Sequence, residues 1–384
     1  MNIVEGSEAL HTRVRAFAAS GAATESFDEL ALSIARFQAR CSPAFARLVA
    51  EWGSALEHVD SIPSVPTDAF RLTRVAVHPA ELDSVCFTTS GTTASLRGQH
   101  PLRTTQTYAE VALRFGRSAL LRPATRVTAV ALAALPAFPW TSSLGFMLEL
   151  FMRHFDGRAL DGSAFRERDG ERFLLSATGP DVRGLEAAVR VALGRGEPVL
   201  LLSTSLALAA LLETLEGRPL PLPAGSVVMH TGGYKGQHRQ VLAEELREHA
   251  AAALAVPLGA VIAEYGMTEL SSQLYEATLP GGELQLEHCP GAPLAAPTTP
   301  RFVAPPWLRV TAVDPASLQA LPEGDAGLAR FVDLANVDSA VAVVTRDRIR
   351  RQGAFIELLG RDAEAPARGC SLAVDTLLGP VHGR

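Results

Sequence analysis

The chain has 384 residues, 47% of them hydrophobic, and a formal net charge of −6. That length suffices for about two to three domains, and the mild charge with no basic block argues against nucleic acid or anionic membrane as a partner. No apolar run approaches the ~20 residues that span a bilayer, and the start MNIVEGSEAL lacks the basic-then-apolar pattern of a signal peptide.

Residues 25–52 read as helix, with Leu30, Ile34, Phe37, Phe45 and Leu48 at helical spacing and a break at Ser42-Pro43. SIPSVPTDAFR, 61–71, reads as an extended connector, and ELDSVCF as a short strand entering the loop TTSGTTASLRG, 88–98. A helix near 107–121, a buried strand at 126–135 and a helix at 142–155 follow. Next come strand EPVLLLSTS, helix LALAALLETL, strand GSVVMHTGG, helix QHRQVLAEELREHAAAAL and strand AVIAEYGMTE. This alternation predicts an α/β fold with largely parallel strands, in which ligands bind at the carboxyl ends of strands. Beyond 280 a Pro/Gly-rich stretch leads to the short strands LRVTAV, GLARFVDLA, AVAVVTRD and AFIELLGR, which read as an antiparallel sheet or small barrel.

Three loops at strand ends carry the chemistry. TTSGTTASLRG offers hydroxyls around Gly91 that suit phosphate oxygens, without the Walker pattern. EYGMTE sets Glu264 and Glu269 around Tyr265, offering a carboxylate for Mg2+ and an aromatic face for a purine. HTGGYKGQ holds Lys235, the single lysine among 35 Lys and Arg residues. A compact ammonium reaches one oxygen in a tight turn where a guanidinium fork does not fit. His230 and His100 read as candidate active-site liners or as hydrogen-bonded structural residues, and the helix around Phe138, Trp140, Phe146 and Met147 as an acid-binding slot or as core. The four cysteines are scattered, with neither metal nor disulfide spacing, which predicts reduced thiols in the cytoplasm. Cys86 reads as core; Cys370, in ARGCSLA, sits near Arg368 and Arg361, cations that favour a thiolate.

In order along the chain, TSGTT, YGMTE, and TRD followed by GR resemble the adenylate-forming enzymes: the acyl-CoA synthetase, luciferase and nonribosomal adenylation superfamily. The strings IPSVPTDAFR, GGYKG, FVDLANVDS and LLGRDAEAPARGCSLA narrow the resemblance to LuxE-type acyl-protein synthetases, from about residue 25 to the end. The resemblance implies the large α/β domain of those enzymes at residues 1–290, a smaller antiparallel β subdomain of the same catalytic unit at 291–361, and a short tail, 362–384, carrying Cys370. With 23 residues after Arg361, it also implies that the usual C-terminal lid domain and its lysine are absent or truncated. ATP and Mg2+ are the implied cofactors. Thr89, Ser90, Gly91, Thr92 and Thr93 would grip the phosphates; Gly232 and Gly233 would pack on the nucleotide or acyl group. Tyr265, Gly266 and Thr268 would contact adenine and α-phosphate, Glu269 would bind Mg2+, Asp347 would hold the ribose, and Arg361 would lie nearby. Lys235 is expected to supply the charge that the absent lysine would bring. Ala94 and Arg97 depart from the common pattern, standing where Gly and Lys are frequent.

The implied reaction activates a carboxylic acid, a fatty acid by this resemblance, as acyl-AMP, then transfers the acyl group to the Cys370 thiol. An acyl reductase or other acyl-acceptor protein is the implied partner. Two other readings fit: a ligase that passes the acyl group to a small thiol or amine, for which Cys370 is unnecessary, and a catalytically degenerate nucleotide-binding protein.

Overall fold

Helices α1 (Ile3–Ser20), α2 (Phe27–Cys41) and α3 (Pro43–Glu51) open the chain of this computed structural model, which describes residues 2–20, 25–89, 97–163, 170–232, 243–288, 300–361, 373–374 and 376–378. Ser26 and Glu29 form a capping box at the start of α2, and Ser42 both ends α2 and caps α3, with Pro43 at the first helical position. The segment after α3 supplies a short strand, β1 (Val65–Pro66), and one helical turn, α4 (Ala69–Leu72). A hairpin of β2 (Val85–Thr88) and β3 (Gln99–Leu102) follows, then α5 (Gln106–Leu120), β4 (Thr128–Leu132) and α6 (Ser143–Phe151), which is prolonged by a π turn at 152–156. The small pair β5 (Leu175–Ser176) and β6 (Gly179–Pro180) precedes α7 (Val182–Arg195).

The expected alternation then runs as β7 (Val199–Thr204), α8 (Ser205–Leu215), β8 (Val227–Thr231), α9 (Ala243–Leu254) and β9 (Val261–Tyr265). Strands β4, β7, β8 and β9 pair in parallel, and they are buried almost throughout, which is why VLLLS reads as an unbroken apolar run. After β9 the direction rule changes. β10 (Leu274–Glu276) turns back antiparallel on β9, with α10 (Glu283–His288) after it. β11 (Arg301–Val303), β12 (Leu308–Val313), β13 (Ala326–Asp333), β14 (Ala342–Gln352) and β15 (Phe355–Arg361) extend the sheet in antiparallel pairs. One continuous sheet results, in the order β12-β13-β14-β15-β11-β10-β9-β8-β7-β4, with β1 parallel to β14.

The late strands, read from sequence as an attached sheet, are therefore hydrogen-bonded into the parallel sheet through β10 and β11. The hydroxyl-rich loop differs in another way from its reading: it joins the antiparallel β2–β3 hairpin, which stands apart from the main sheet. Cys86, read as core, is half-buried on that hairpin. Among the described residues no helix is long and apolar enough to cross a membrane.

Candidate active site

The site lies where β9 leaves the parallel sheet. Tyr265 is the last residue of β9, and the Gly266–Glu269 turn carries the chain towards β10. On the antiparallel side, Asp347 of β14 stands opposite Arg361 of β15 in register. The Tyr265 hydroxyl donates to Asp347 Oδ2 at 2.8 Å, and Arg361 Nε lies 3.8 Å from Asp347 Oδ1. Three residues 265, 347 and 361, named from sequence, thus converge. Burial, and then the adjacent Asp347 carboxylate, push the Tyr265 phenol well above its ordinary value, so it stays a donor. Its ring is stacked on Phe331 (5.9 Å, 15°) and tilted against Phe302 (6.1 Å), which fixes the direction of the hydroxyl.

The Gly266–Glu269 turn is held from behind. His100 Nδ1 donates to the Thr268 carbonyl at 2.6 Å, and its Nε2 lies 2.8 Å from the Ser339 hydroxyl. A ring that donates through Nδ1 accepts through Nε2 when it is neutral. Burial lowers the His100 pKa to about 4, which keeps it so. Asn336 Nδ2 donates to the Glu269 carbonyl at 2.9 Å, while the Ser271 hydroxyl donates to Asn336 Oδ1 at 2.7 Å. Asp333 accepts from Ser271 N, the Ser272 hydroxyl and Ala335 N, and burial still pushes its carboxyl up to about 6. The string FVDLANVDS was visible in the sequence, but its task was not. It is the buckle that fixes the turn after β9, with Asp333 and Asn336 as its two tongues.

Thr89 closes the base of the hydroxyl-rich loop: its N–H donates to the Gly98 carbonyl and its Oγ1 accepts from Gly98 N, both at 2.9 Å. Ser90, Gly91, Thr92 and Thr93 lie outside the described residues, as do Gly233, Lys235, Cys289 and Cys370. Gly232 is described at the end of β8 with φ +81°, a left-handed value that favours glycine, and its carbonyl accepts from the Ser205 hydroxyl at 2.6 Å. Ser205 also meets His230 Nδ1 at 3.0 Å. Because Ser205 spends its proton on Gly232, His230 donates through Nδ1, and burial lowers its pKa to about 4. His230 is therefore a buried strand-end residue held through Nδ1, with no partner for its Nε2 among the described residues.

Glu269 is 8% exposed and stands at the end of the turn. Among the described residues no three His, Cys, Asp or Glu side chains gather into a metal cage. A carboxylate such as Glu269 suits Mg2+ held chiefly by substrate phosphates and water.

No protein-family model and no curated protein matches this chain. Solved structures do. An open conformation of 2-hydroxyisobutyryl-CoA ligase, in complex with 2-HIB-AMP and CoA, superposes with a TM-score of 0.56 at 13% identity over 89% of this chain and 76% of that one. The same ligase in its thioesterification state gives 0.55 at 13% identity over 96% and 71%. In its postadenylation state, with 2-HIB-AMP, it gives 0.56 at 13% identity over 87% and 67%. The chain has the fold of that ligase. The α/β architecture expected from the strand–loop–helix alternation is thereby found, with its antiparallel extension.

Proposed function

We propose that this protein activates a carboxylic acid with ATP and transfers the acyl group to a thiol, that of Cys370. The observation that carries the reading is the convergence of Tyr265, Asp347 and Arg361 at the carboxyl end of β9, in a chain whose fold is that of a ligase solved with an acyl-AMP. A substrate carboxylate oxygen attacks the α-phosphorus of ATP, and the bond to pyrophosphate breaks. The Cys370 thiolate then attacks the acyl carbonyl, a thioester forms, and AMP departs. Asp347 accepts hydrogen bonds from the ribose hydroxyls, the loop Thr89–Thr93 holds the phosphates, and Glu269 takes Mg2+, which neutralises phosphate charge when bound. Lys235 stabilises charge on the α-phosphate and the attacking carboxylate. Residues 1–290 and 291–361 act as one catalytic unit, with Cys370 delivered from the segment after β15.

Intact-protein mass tests this after incubation with ATP, Mg2+ and a panel of carboxylic acids. An acyl adduct that hydroxylamine removes and Cys370→Ser lacks is expected. Lys235→Ala should slow acid-dependent ATP–pyrophosphate exchange by ~10²-fold or more; exchange at the wild-type rate would remove Lys235 from the mechanism. A second reading is favoured by the ligase structures that hold CoA: release of the acyl group to a small thiol. Pyrophosphate release without an adduct would select it. Neither adduct nor pyrophosphate with any acid would select a nucleotide-binding protein without catalysis.

A further inference from the structure

One buried acid at this site has no part in the steps above. Glu264 directly precedes Tyr265 at the end of β9, and it is 5% exposed. The Thr231 hydroxyl, at the end of β8, donates to its Oε2, and no other described residue hydrogen-bonds the carboxyl. Its Oε1 lies under the turn: a Cβ at Gly266 would stand 2.5 Å from Oε1 and 3.6 Å from Gln273 Cγ. Gln273 Nε2 donates to the Tyr108 hydroxyl at 3.4 Å. Tyr108 in turn ends a run of aromatic rings, meeting Phe87 at 5.8 Å and Phe146 at 5.6 Å, with Trp140 5.6 Å beyond Phe146. The rings continue outward to Phe138, 6.2 Å from Trp140 and 65% exposed.

We propose that Glu264 is a specificity residue for the acid: it donates a hydrogen bond from Oε1 to an oxygen substituent, a hydroxyl or carbonyl, on the acid's body, so that the protein prefers oxygenated acids to plain alkyl acids. The inference rests on the adenylation reading. The groups facing Glu264 are neutral: Thr231 from β8, Tyr108 from α5, Tyr275 from β10, and Gln273. The Tyr275 hydroxyl is fully buried without a hydrogen-bond partner among the described residues, and Asp333 lies beyond Tyr108. Among the described residues no cation balances the carboxyl, and burial pushes it up to about 7. Thr231 occupies Oε2, so the proton sits on Oε1. A donor that a bound substrate shuts off from water without offering an acceptor is costly, so a site of this kind discriminates strongly against a substrate lacking the matching oxygen.

The test is ATP–pyrophosphate exchange with matched pairs of acids, unsubstituted alkanoic acids and benzoate against their hydroxy and oxo analogues, for wild type, Glu264→Gln and Glu264→Ala. The best acid is expected to carry an oxygen substituent. Glu264→Ala should raise its KM by about 10–100-fold, leaving the KM for ATP unmoved. Glu264→Gln, which keeps a neutral donor, should recover most of that loss. In wild type the KM for the oxygenated acid should climb as pH passes about 7, and in Glu264→Gln it should stay flat. Preference for the unsubstituted member of each pair overturns the proposal, as does an unchanged KM in Glu264→Ala. Equal losses in Gln and Ala would mean an ionised Glu264 facing a cationic substrate group, which also overturns it. If no acid supports exchange, the adenylation reading itself fails. A carboxylic-acid C=O infrared band at neutral pH, present in wild type and missing in Glu264→Gln, then still decides the state of Glu264, and its absence from wild type overturns the proposal.

Discussion

Tyr265→Phe removes one oxygen atom and keeps the ring that packs on Phe331 and Phe302. What is lost is the 2.8 Å hydrogen bond to Asp347 Oδ2. A hydrogen bond to a charged group contributes about 1.5–3 kcal/mol. The other tether of Asp347 is weaker. Arg361 reaches it only at 3.8 Å, and its side chain is 51% exposed, so that pair contributes about 0–1 kcal/mol. The phenol is therefore the main restraint on the carboxylate expected to hold the ribose. Without it the carboxylate must be ordered at binding. A loss of about 1.4 kcal/mol raises Kd tenfold, and a rise of about 10-fold for AMP and ATP is the expected result. Titration calorimetry on wild type, Tyr265→Phe, Asp347→Asn and the double variant measures it. The cycle should show coupling of about 1 kcal/mol or more. If Tyr265→Phe costs the same with Asn at position 347 as with Asp, the hydroxyl acts through something other than Asp347 and the reasoning fails.

Further outcomes follow from neighbouring contacts. His100→Ala should lower stability by about 1–3 kcal/mol, because it leaves a half-buried Thr268 carbonyl and a buried Ser339 hydroxyl without the ring; urea unfolding measures it, and an unchanged midpoint would mean that water replaces the ring. Gly266→Ala should raise the KM for the acid about as much as Glu264→Ala does while the protein stays folded, since the added methyl would lie 2.5 Å from Glu264 Oε1 and displace it; wild-type kinetics would show that the turn yields. The pH dependence of stability has a definite sign for Glu264. Its folded pKa of about 7 lies above the ordinary 4.5, so its contribution is full below pH 4.5 and is lost as pH rises through 7. Glu264→Gln should therefore gain on wild type by roughly 2.5 kcal/mol between pH 5 and pH 8 in urea unfolding. A constant difference would place the folded pKa near 4.5.

The parallel half of the sheet was legible because β7, β8 and β9 are short, buried and bounded by turn residues, and a long apolar run is hard to misread there. The α2–α3 break was legible for a local reason as well, Ser42 followed by Pro43. What sequence did not reveal depends on partners far along the chain. Helix α1 carries Ser7 and His11 among the apolar positions of its buried face, so its amphipathic pattern is blurred. Strand β11 is three residues long and pairs with β15, some fifty positions onward. At the site, Tyr265, Asp347 and Arg361 were found as motifs, but the reason they meet, the reversal of β10 on β9, is a pairing that no local pattern encodes. Asp333 and Asn336 were visible only as letters in FVDLANVDS, since supporting residues carry no chemical signature until their partners are known.

The buried face of α1 has one more consequence. Ser7 and His11 both bond Asp338, His11 at 2.9 Å, across 331 and 327 residues, and Asp338 adjoins Ser339, the partner of His100. During synthesis the first helix leaves the ribosome long before its acceptor exists. At about 5–20 residues per second it waits roughly 20–60 s. For that interval the two polar groups on its inner face lack their carboxylate and can meet only Arg103 and Thr107, and the newborn chain is open to chaperones and proteases. Arrival of residues 333–339 would tie down the first helix and complete the buckle behind the turn after β9 in the same event, and the strands that carry Asp347 and Arg361 follow, so that protease resistance should precede competence for nucleotide in a nascent chain.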